Sequence, residues 1–444
     1  MQTSTIKFSQ IEDRIDAEYY KPEYLAIYQL LGNKKISKIG DISIKLVNGG
    51  TPDIEEGKFY TKGITFLKNG NIKEMEIDYD NAEFISENSH NIRKRSALKK
   101  NDVLVTIAGT IGNIAVFDKD IEANINQNIC RIVVEDINPY YLAVFLNSKF
   151  GKWQLVRHAT VQTIQYINNQ VVGDLEVFIP PQSFQQKIEK MVKEAQEKRK
   201  LADEKYKEAE EILNKELGLK DLDLSTQKTF EAKFSEAEDR FDPKYYQPKY
   251  KKIISKLKSQ KSKLLSEIVK ISNKKLDPTK NPSTEIKYIE LANINGSNGI
   301  IEDCETYKHW QLPGRARMLI RNGDVLVSSL SGSIDKVGLA AEEYDGQVAS
   351  TGFFVVNSNV SNSETLFLIF RNKIISGQLE RNTRGAIMSA ISENEFRNII
   401  IPVLSQSLQQ RISSLIQQSF KLRQEAKELI DRAKKEVEEM VENK

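Results

Sequence analysis

The stretch KFSQIEDRIDAEYYKPEY at residues 7–24 returns as KFSEAEDRFDPKYYQPKY at residues 233–250. Both copies keep an Asp-Arg step, a Tyr-Tyr pair and a Pro-x-Tyr ending, in the same order. A period this long lies far beyond the roughly 20–50 residues of solenoid repeats. The sequence therefore indicates a duplicated domain and a pseudo-twofold protein.

The repeat continues beyond this opening motif. KNDVLVTIAGTI (100–111) matches NGDVLVSSLSGSI (322–334), and the β-branched run in each predicts a strand. The Asn-Asp and Gly-Asp steps ahead of these runs predict turns that lead into the strand. NPYYLAVFLNS (138–148) predicts a helix that begins near its proline. We therefore expect mixed α/β domains.

The composition bounds the class of protein. The chain has 444 residues, 39% hydrophobic and 29% charged, with a net charge of +3, which fits two or three globular domains. Cys130 and Cys304 are too few for a disulfide framework and have the wrong spacing for zinc, which favours a reducing cytoplasm. We expect no signal peptide, membrane span or metal site.

Each half ends in a long, charged, periodic stretch that predicts a helix, and Gly218 is expected to end the first. Antiparallel pairing of the two helices would make a spacer between the domains, whereas the alternative is that each helix folds back on its own domain. The predicted seam consists of Ile188, Met191, Ala195, Ala202, Ala209 and Ile212 in the first helix and Leu408, Ile412, Leu415, Leu422 and Leu429 in the second.

The expected fold class is α/β (α+β): two similar globular domains separated by a two-helix antiparallel coiled coil. The predicted order is a first domain at 1–180, a central helix at 181–218, a linker at 219–232, a second domain at 233–402 and a C-terminal helix at 403–444.

This order of motif, domain and helix, given twice, resembles the specificity subunit of Type I restriction–modification systems. The resemblance covers the whole chain and rests on RIDAEYYKPEY, RFDPKYYQPKY, GGTPD (49–53), NGDVLV (322–327), IPPQSFQQKI (179–188) and the long helix that follows. The second half departs from it, because it lacks the double proline of 180–181 and has no good match to GGTP.

The resemblance implies a subunit that is not itself an enzyme. It implies two target-recognition domains, each of which reads one half of a split, asymmetric double-stranded DNA sequence. Two methyltransferase (M) subunits that modify adenine N6 would bind around the helices, and two restriction (R) subunits can join them for cleavage. S-adenosylmethionine, and ATP with magnesium for restriction, would be cofactors of those partners and not of this chain.

The internal repeat also suggests where bases are read, because positions that differ between the copies are free to specify different half-sites. The copies differ most at 53–96 and 278–318, and a polar stretch with arginine follows a predicted helix in each half. The candidate DNA-binding residues are Lys62, Lys68, Asn69, His90, Arg93, Lys94 and Arg95, then Arg157, His158, Thr160 and Gln162, then Lys308, Arg315 and Arg317, and finally Arg381, Thr383 and Arg384. Each could instead contact phosphate or belong to a solvated face.

The Tyr-Tyr pairs occur in both halves, so they should not read different bases. We expect them to pack within their domains, with docking onto a methyltransferase as the alternative. Asn138-Pro139-Tyr140-Tyr141 resembles the NPPY box of adenine methyltransferases but lacks its second proline, and we interpret it as a helix start. No catalytic or metal constellation is expected. The rival hypotheses are a methyltransferase or nuclease, and a duplicated coiled-coil adaptor that does not bind DNA.

Overall fold

The computed structural model describes residues 5–6, 11, 15–32, 34–52, 62–159, 166–220, 222–232, 240–385 and 389–443. The chain divides into two compact units: unit 1 contains residues 1–199 and 424–444, and unit 2 contains residues 200–423. Each unit therefore holds one copy of the repeat and one half of each long helix.

The first described element of unit 1 is a single turn of 3-10 helix at Ala17–Tyr20, after which short helices alternate with short strands. Its helices are α1 Pro22–Leu31, α2 Ile39–Ile42, α3 Glu87–Ile92, α4 Pro139–Asn147, α5 Lys149–His158, α6 Asn169–Asp174 and the first half of α7 Gln182–Glu216. Its strands are β1 Ile36–Lys38, β2 Ser43–Asn48, β3 Ile64–Leu67, β4 Ile72–Lys73, β5 Glu76–Ile77, β6 Glu83–Ile85, β7 Val103–Thr106, β8 Ile114–Val116, β9 Ala123–Ile125, β10 Ile129–Val134 and β11 Glu176–Phe178.

The strands of unit 1 form two main sheets. One is the antiparallel sheet β2-β10-β7-β8, which shares the largest hydrophobic core of the unit with α4. The other is β6-β3-β9, in which β3 runs parallel to β9 and has the edge strand β6 on its other side. The second sheet has its own smaller core.

Unit 2 repeats this arrangement. Its helices are the second half of α7, α8 Pro248–Lys258, α9 Leu265–Ile268, α10 Ser363–Arg371, α11 Lys373–Asn382, α12 Glu393–Arg397 and the first half of α13 Gln406–Glu442, whose second half belongs to unit 1. Its strands are β12 Ser262–Leu264, β13 Val269–Ile271, β14 Glu285–Ile289, β15 Glu305–Lys308, β16 Ala316–Leu319, β17 Val325–Ser328, β18 Val337–Leu339, β19 Val348–Ser350, β20 Phe353–Ser358 and β21 Ile400–Pro402.

The sheets of unit 2 have the same topology as those of unit 1. The order β13-β20-β17-β18 repeats β2-β10-β7-β8, and β15-β14-β19 repeats β6-β3-β9, with the second and third strands again paired in parallel. Unit 2 adds β16 beside β19, where unit 1 has a hydrogen bond from Leu98 N–H to Ala123 O. The predicted α/β class and the duplication are confirmed.

The turns predicted ahead of the DVLV runs are present in both units. Asn101 has φ of 76° and Gly323 has φ of 83°, a left-handed backbone that asparagine and glycine adopt more readily than other residues. The next residue is a buried aspartate in each case: Asp102 accepts a hydrogen bond from Lys99 N–H at 2.6 Å, and Asp324 accepts one from Arg321 N–H at 2.9 Å. In both units the turn therefore closes on a buried aspartate side chain.

The helix predicted from NPYY also forms. Asn138 Oδ1 accepts hydrogen bonds from the backbone N–H groups of Tyr140 and Tyr141, and Pro139 occupies the first helical position, where no N–H is needed. Asn362 caps α10 in unit 2 in the same way, through Thr365 N–H. This confirms NPYY as a helix start.

The two long helices pair antiparallel. In unit 1 the early residues of α7, such as Ile188, pack into one core with the late residues of α13, such as Val437. In unit 2 the late residues of α7, such as Leu213, pack with the early residues of α13, such as Ile412. Gly218 follows the end of α7 with φ of 57°, as its predicted role as a stop requires.

The seam of this helix pair differs in register from the predicted one. Ile188, Met191, Ala195, Ala202, Ala209, Ile412 and Leu415 are buried, whereas Ile212, Leu408, Leu422 and Leu429 are only half-buried. Val192, Leu213, Ile416 and Ile430, each one residue beyond a predicted or buried position, are buried more deeply. Ile212, Leu408 and Leu429 still pack against the cores from their margins, and Leu422 is half-buried. Ile212 and Leu429 each lie one residue before a more deeply buried position, Leu213 and Ile430.

Two arginines explain why the sequence hid this register. A 4-3 spacing from Ile412 through Ile416 and Ser419 reaches Arg423, and the same spacing in α7 reaches Arg199. Arg199 donates to the Met75 carbonyl at 2.6 Å, and Arg423 pairs with Asp203. Because Arg423 breaks the apolar pattern of α13, sequence periodicity favours its neighbour Leu422.

Candidate nucleic-acid interface

The opening motif of unit 1 is a capped turn held by a distant arginine. Asp16 Oδ1 accepts a hydrogen bond from Tyr19 N–H at 3.1 Å, and the Tyr19 and Tyr20 rings meet edge to face with centroids 5.0 Å apart. The Arg157 guanidinium lies 3.9 Å from the centroid of the Tyr19 ring, and its Nε donates to the Tyr19 carbonyl at 3.0 Å. Arg157 thus ties α5 to the start of the unit.

Unit 2 repeats these contacts. Asp242 Oδ1 accepts from Tyr245 N–H at 3.0 Å, and the Tyr245 and Tyr246 rings are again 5.0 Å apart and edge to face. Arg381 lies 3.8 Å from the Tyr245 ring centroid and donates from Nε to the Tyr245 carbonyl at 3.3 Å. The expected packing role of the Tyr-Tyr pairs is confirmed, and Arg157 and Arg381 are the distant partners that the motif itself does not reveal.

Several candidate DNA-binding residues are buried inside their units. Arg157 is only 4% exposed, and His90 and Thr383 are also buried, so these three side chains are unavailable to a DNA groove in this conformation. The Thr383 hydroxyl donates to the Glu380 carbonyl at 2.9 Å. Arg381 is half-buried against Tyr245. Their polar character serves the interior of the domains, where an unpaired polar group would be costly.

In unit 1 four of the candidates, His90, Arg93, Lys94 and Arg95, lie on the segment 86–96, which we call the α3 platform. Ser86 caps α3 by accepting from Ser89 N–H at 3.1 Å. A ring nitrogen of His90 lies 3.0 Å from the side-chain nitrogen of Asn124, whose oxygen accepts from the Ser96 hydroxyl at 2.7 Å. This buried network fixes the platform to β9. Sequence reasoning missed Asn124, since no local pattern pairs it with His90.

Arg93 connects the α3 platform to the GGTP loop. Its Nε donates to the Gly50 carbonyl at 2.9 Å, and a terminal nitrogen donates to the Thr51 carbonyl at 3.0 Å. A Cβ atom on Gly49 would lie 1.8 Å from the Ile125 carbonyl oxygen, so this position needs glycine. The double glycine therefore brings the loop against β9, and Arg93 holds it there.

Unit 1 has several exposed cations on and near the α3 platform. Lys94 and Arg95 are exposed on the 3-10 turn Lys94–Ser96, and Lys62 is exposed ahead of β3. Lys68 is half-buried and forms an ion pair with Glu83 at 2.6 Å, while Asn69 is half-buried. Unit 1 thus presents positive charge on the platform and beside it, which suits a polyanion.

In unit 2 the corresponding segment is 308–317, which we call the β15 platform. Lys308 and Arg315 are exposed, and Arg317 is half-buried. His309 is buried between them, with Nδ1 3.0 Å from the Lys280 carbonyl oxygen and its backbone N–H donating to the Thr284 carbonyl at 3.0 Å. Both platforms follow the edge strand of the second sheet.

The loops after α5 and α11 were the other candidate region. Thr160 and Gln162 lie outside the described residues. His158 is half-buried, with its ring edge to face with Tyr19 at 5.3 Å between centroids. Arg384 is exposed and pairs with Glu395 of α12. Base contact by the exposed candidates stays a prediction.

The histidine, cysteine and acidic side chains of the described residues bear on metal binding and on nucleophilic chemistry. No group of three or more histidine, cysteine, aspartate or glutamate side chains among these residues could hold a metal ion. Burial raises the pKa of the Cys130 thiol to about 12 and that of Cys304 to about 11, so neither is a thiolate at neutral pH. Within the same residues, no helix combines the length and apolar character of a membrane span.

These observations define a duplicated α/β protein with one antiparallel helix pair and a cation-bearing platform in each unit. The family model described as "Type I restriction modification DNA specificity domain" matches residues 31–211 and 230–435. The chain belongs to this family, and each match covers one copy of the repeat. The predicted resemblance is confirmed.

Individual relatives are more distant. The Type I restriction enzyme EcoBI specificity subunit of Escherichia coli is 31% identical over 139 residues, which span 31% of this chain and 29% of that protein. A Type I restriction–modification S subunit from M. genitalium has 14% identity and a TM-score of 0.46, covering 92% of this chain and 95% of that one. The subunit from Thermoanaerobacter tengcongensis has 14% identity and a TM-score of 0.32 over 92% and 96%.

Proposed function

We propose that this chain is the DNA sequence-specificity subunit of a Type I restriction–modification complex and has no catalytic activity of its own. Each unit reads one half of a bipartite target. The two halves of the target differ, because the two platforms differ in sequence. The observation that carries this proposal is the double match to the DNA specificity domain family on two units of the same topology.

The platforms supply the physical basis of the proposal. Lys94 and Arg95 in unit 1 and Lys308 and Arg315 in unit 2 are exposed beside buried networks that hold their backbones in place. Cations on a fixed backbone can neutralise phosphates and bring neighbouring side chains to the base edges. Arginine can also donate two hydrogen bonds to guanine in the major groove.

The partners belong to the same proposal. Two adenine-N6 methyltransferase subunits bind this chain, with S-adenosylmethionine as their cofactor. Two restriction subunits that use ATP and magnesium join for cleavage. The two cysteines are unpaired, which fits action in a reducing cytoplasm. The family membership does not favour the alternative of a coiled-coil adaptor without DNA binding.

The first experiment measures DNA binding by the full chain, alone and with its methyltransferase partner, by filter binding between about 50 and 200 mM salt. Affinity should fall about a thousand-fold if roughly six phosphates are contacted. Reversing the platform charges (Lys94→Glu with Arg95→Glu) should flatten the salt dependence. The matched control, measured on the chain alone, reverses Arg432 and Lys435, exposed cations on α13, and should leave the salt dependence unchanged. Binding that is independent of salt would contradict the proposal.

The second experiment tests the division of labour between the units. Cells carrying this chain with its methyltransferase have their methylated sequences determined, before and after unit 1 residues 1–180 are replaced by those of a relative. One half of the methylated target should change and the other should stay. A change in both halves would show that the units do not read independently.

A further inference from the structure

Each platform carries one large apolar side chain that points into solvent. Ile92, the last residue of α3, is 60% exposed, and Trp310, in the turn of helix His309–Gln311, is 66% exposed. Single exposed apolar residues are common, so exposure alone would mean little. Ile92 and Trp310 differ from such residues in where they lie in the fold.

Both residues lie in the segment that follows the corresponding edge strand, Ile92 seven residues after β6 and Trp310 two residues after β15. α3 follows β6, and the turn His309–Gln311 follows β15. β6 and β15 are edge strands, and each neighbours a strand that is paired in parallel with the next one. The sequences of the two segments are unrelated, yet each presents an exposed apolar residue after its edge strand.

Neither residue lies on a loose loop. Ile92 is preceded by the buried His90 and followed by Arg93, whose guanidinium is fixed to the Gly50 carbonyl. The backbone N–H of Trp310 donates to the Pro282 carbonyl at 3.3 Å, and the backbone N–H of His309 donates to the Thr284 carbonyl. The fold therefore presents both side chains to solvent on an ordered backbone, which is the preorganisation that a recognition residue needs.

The charged residues near Ile92 and Trp310 indicate what kind of partner contacts them. Exposed Lys94 and Arg95 follow Ile92 directly, and exposed Lys308 and Arg315 lie on either side of Trp310 in the chain. A protein surface that buries an apolar group usually has few charges at its centre. Apolar side chains among cations suit duplex DNA, where phosphates meet the cations and apolar groups meet the bases.

We infer that Ile92 and Trp310 are specificity-determining residues that make apolar contacts with bases, one in each half of the target. This rests on the proposed function and names the side chains that carry it out. Two kinds of base contact share this chemistry: contact with the methyl group of thymine in the major groove, and insertion beside an unstacked base step. Isoleucine and tryptophan differ in size and shape, so the two units prefer different bases there.

The test selects bound sequences from a random duplex DNA pool with the full chain, comparing the natural protein with Ile92→Ser and Trp310→Ser. Each variant should lose preference at one or two positions, Ile92→Ser in one half of the target and Trp310→Ser in the other, by about tenfold. Replacing thymine by uracil in the selected DNA distinguishes the two contacts, because only methyl contact is lost.

The matched controls are Ile15→Ser and Phe241→Ser, which remove an isoleucine and an aromatic residue that are 89% and 80% exposed in the opening motifs. They should leave both halves of the preference intact. If the controls alter it as much as the platform variants do, exposed apolar area in general is responsible and the inference is overturned.

Fluorescence gives an independent measurement. The chain has two tryptophans, so Trp153→Phe leaves Trp310 as the sole emitter. Selected DNA should quench this emission and shield it from iodide, as base contact requires. Binding without either change overturns the inference while leaving the proposed function standing. A change caused by a methyltransferase partner but not by DNA would assign Trp310 to a protein interface. Absence of DNA binding altogether would instead overturn the proposed function.

Discussion

Replacing Ile430 with alanine should destabilise unit 1 far more than replacing its neighbour Leu429. Ile430 is 3% exposed and belongs to the core that α13 shares with α7, whereas Leu429 is only partly buried against that core. Both changes remove three carbon atoms from the same turn of the same helix. The pair therefore isolates burial from helix propensity, which differs little between the two residues.

The magnitudes follow from burial. Three buried carbons at about 0.8 kcal/mol each give about 2.4 kcal/mol, and the cavity left at a closed site brings Ile430→Ala to about 3–4 kcal/mol. Leu429→Ala loses about half of the transfer free energy and opens no closed cavity, so about 1 kcal/mol is expected. The difference of about 2 kcal/mol is well above the error of chemical unfolding.

The measurement is urea unfolding of the full chain followed by circular dichroism, with amide hydrogen exchange across residues 424–443 to assign the transition to unit 1. Two units can unfold in separate steps, and exchange reports on α13 directly. The reasoning would be refuted if Leu429→Ala cost as much as Ile430→Ala, because the seam would then follow the register predicted from the sequence.

Three further predictions concern unit 1. Asp102→Asn should lower the free energy of unfolding by about 3–5 kcal/mol, because it leaves the buried Arg131 without its counter-charge. Asp174→Asn, which breaks an exposed ion pair with Lys38, should lower it by less than about 1 kcal/mol. Urea unfolding measures both. Gly49→Ala should cost about 1–3 kcal/mol and slow assembly of the platform, and Gly70→Ala, with open space around it, should be nearly neutral in thermal unfolding. Burial opposes ionisation of Glu74, but hydrogen bonds from Lys152 and Lys434 outweigh it and lower the pKa of this carboxyl group. The carboxylate therefore stabilises the fold fully above the ordinary glutamate pKa of about 4.3. This contribution is lost as the pH falls through the lowered pKa. Glu74→Gln should flatten the acid side of the stability profile, and an unchanged profile would show that other carboxylates control it.

The features that the sequence predicted correctly are those whose causes are local. Asn101 and Gly323 precede their strands because few other residues accept a left-handed backbone. Asn138 and Pro139 begin α4 because an amide side chain can cap backbone N–H groups and proline needs no donor. Such rules act within a few residues, so a single sequence contains them in full.

The candidate interface was predicted only in outline. The divergent stretches do contain the platforms, and Lys94, Arg95, Lys308 and Arg315 are exposed there. Arg157, however, is buried against Tyr19, which is far away in the chain. Residue type gives the chemistry of a side chain, but its availability depends on what the fold places beside it.

The duplication, the α/β class and the existence of two long helices were determined by the sequence alone, because repetition, turn chemistry and heptad spacing are written in consecutive residues. The tertiary structure decided the register of the seam, through Arg199 and Arg423, and the pairing of His90 with Asn124 that fixes the α3 platform. It also decided that Ile92 and Trp310 are exposed in the segments that follow the corresponding edge strands β6 and β15. Burial and pairing depend on residues far apart in the chain, so only the folded chain reveals which side chains remain open to solvent.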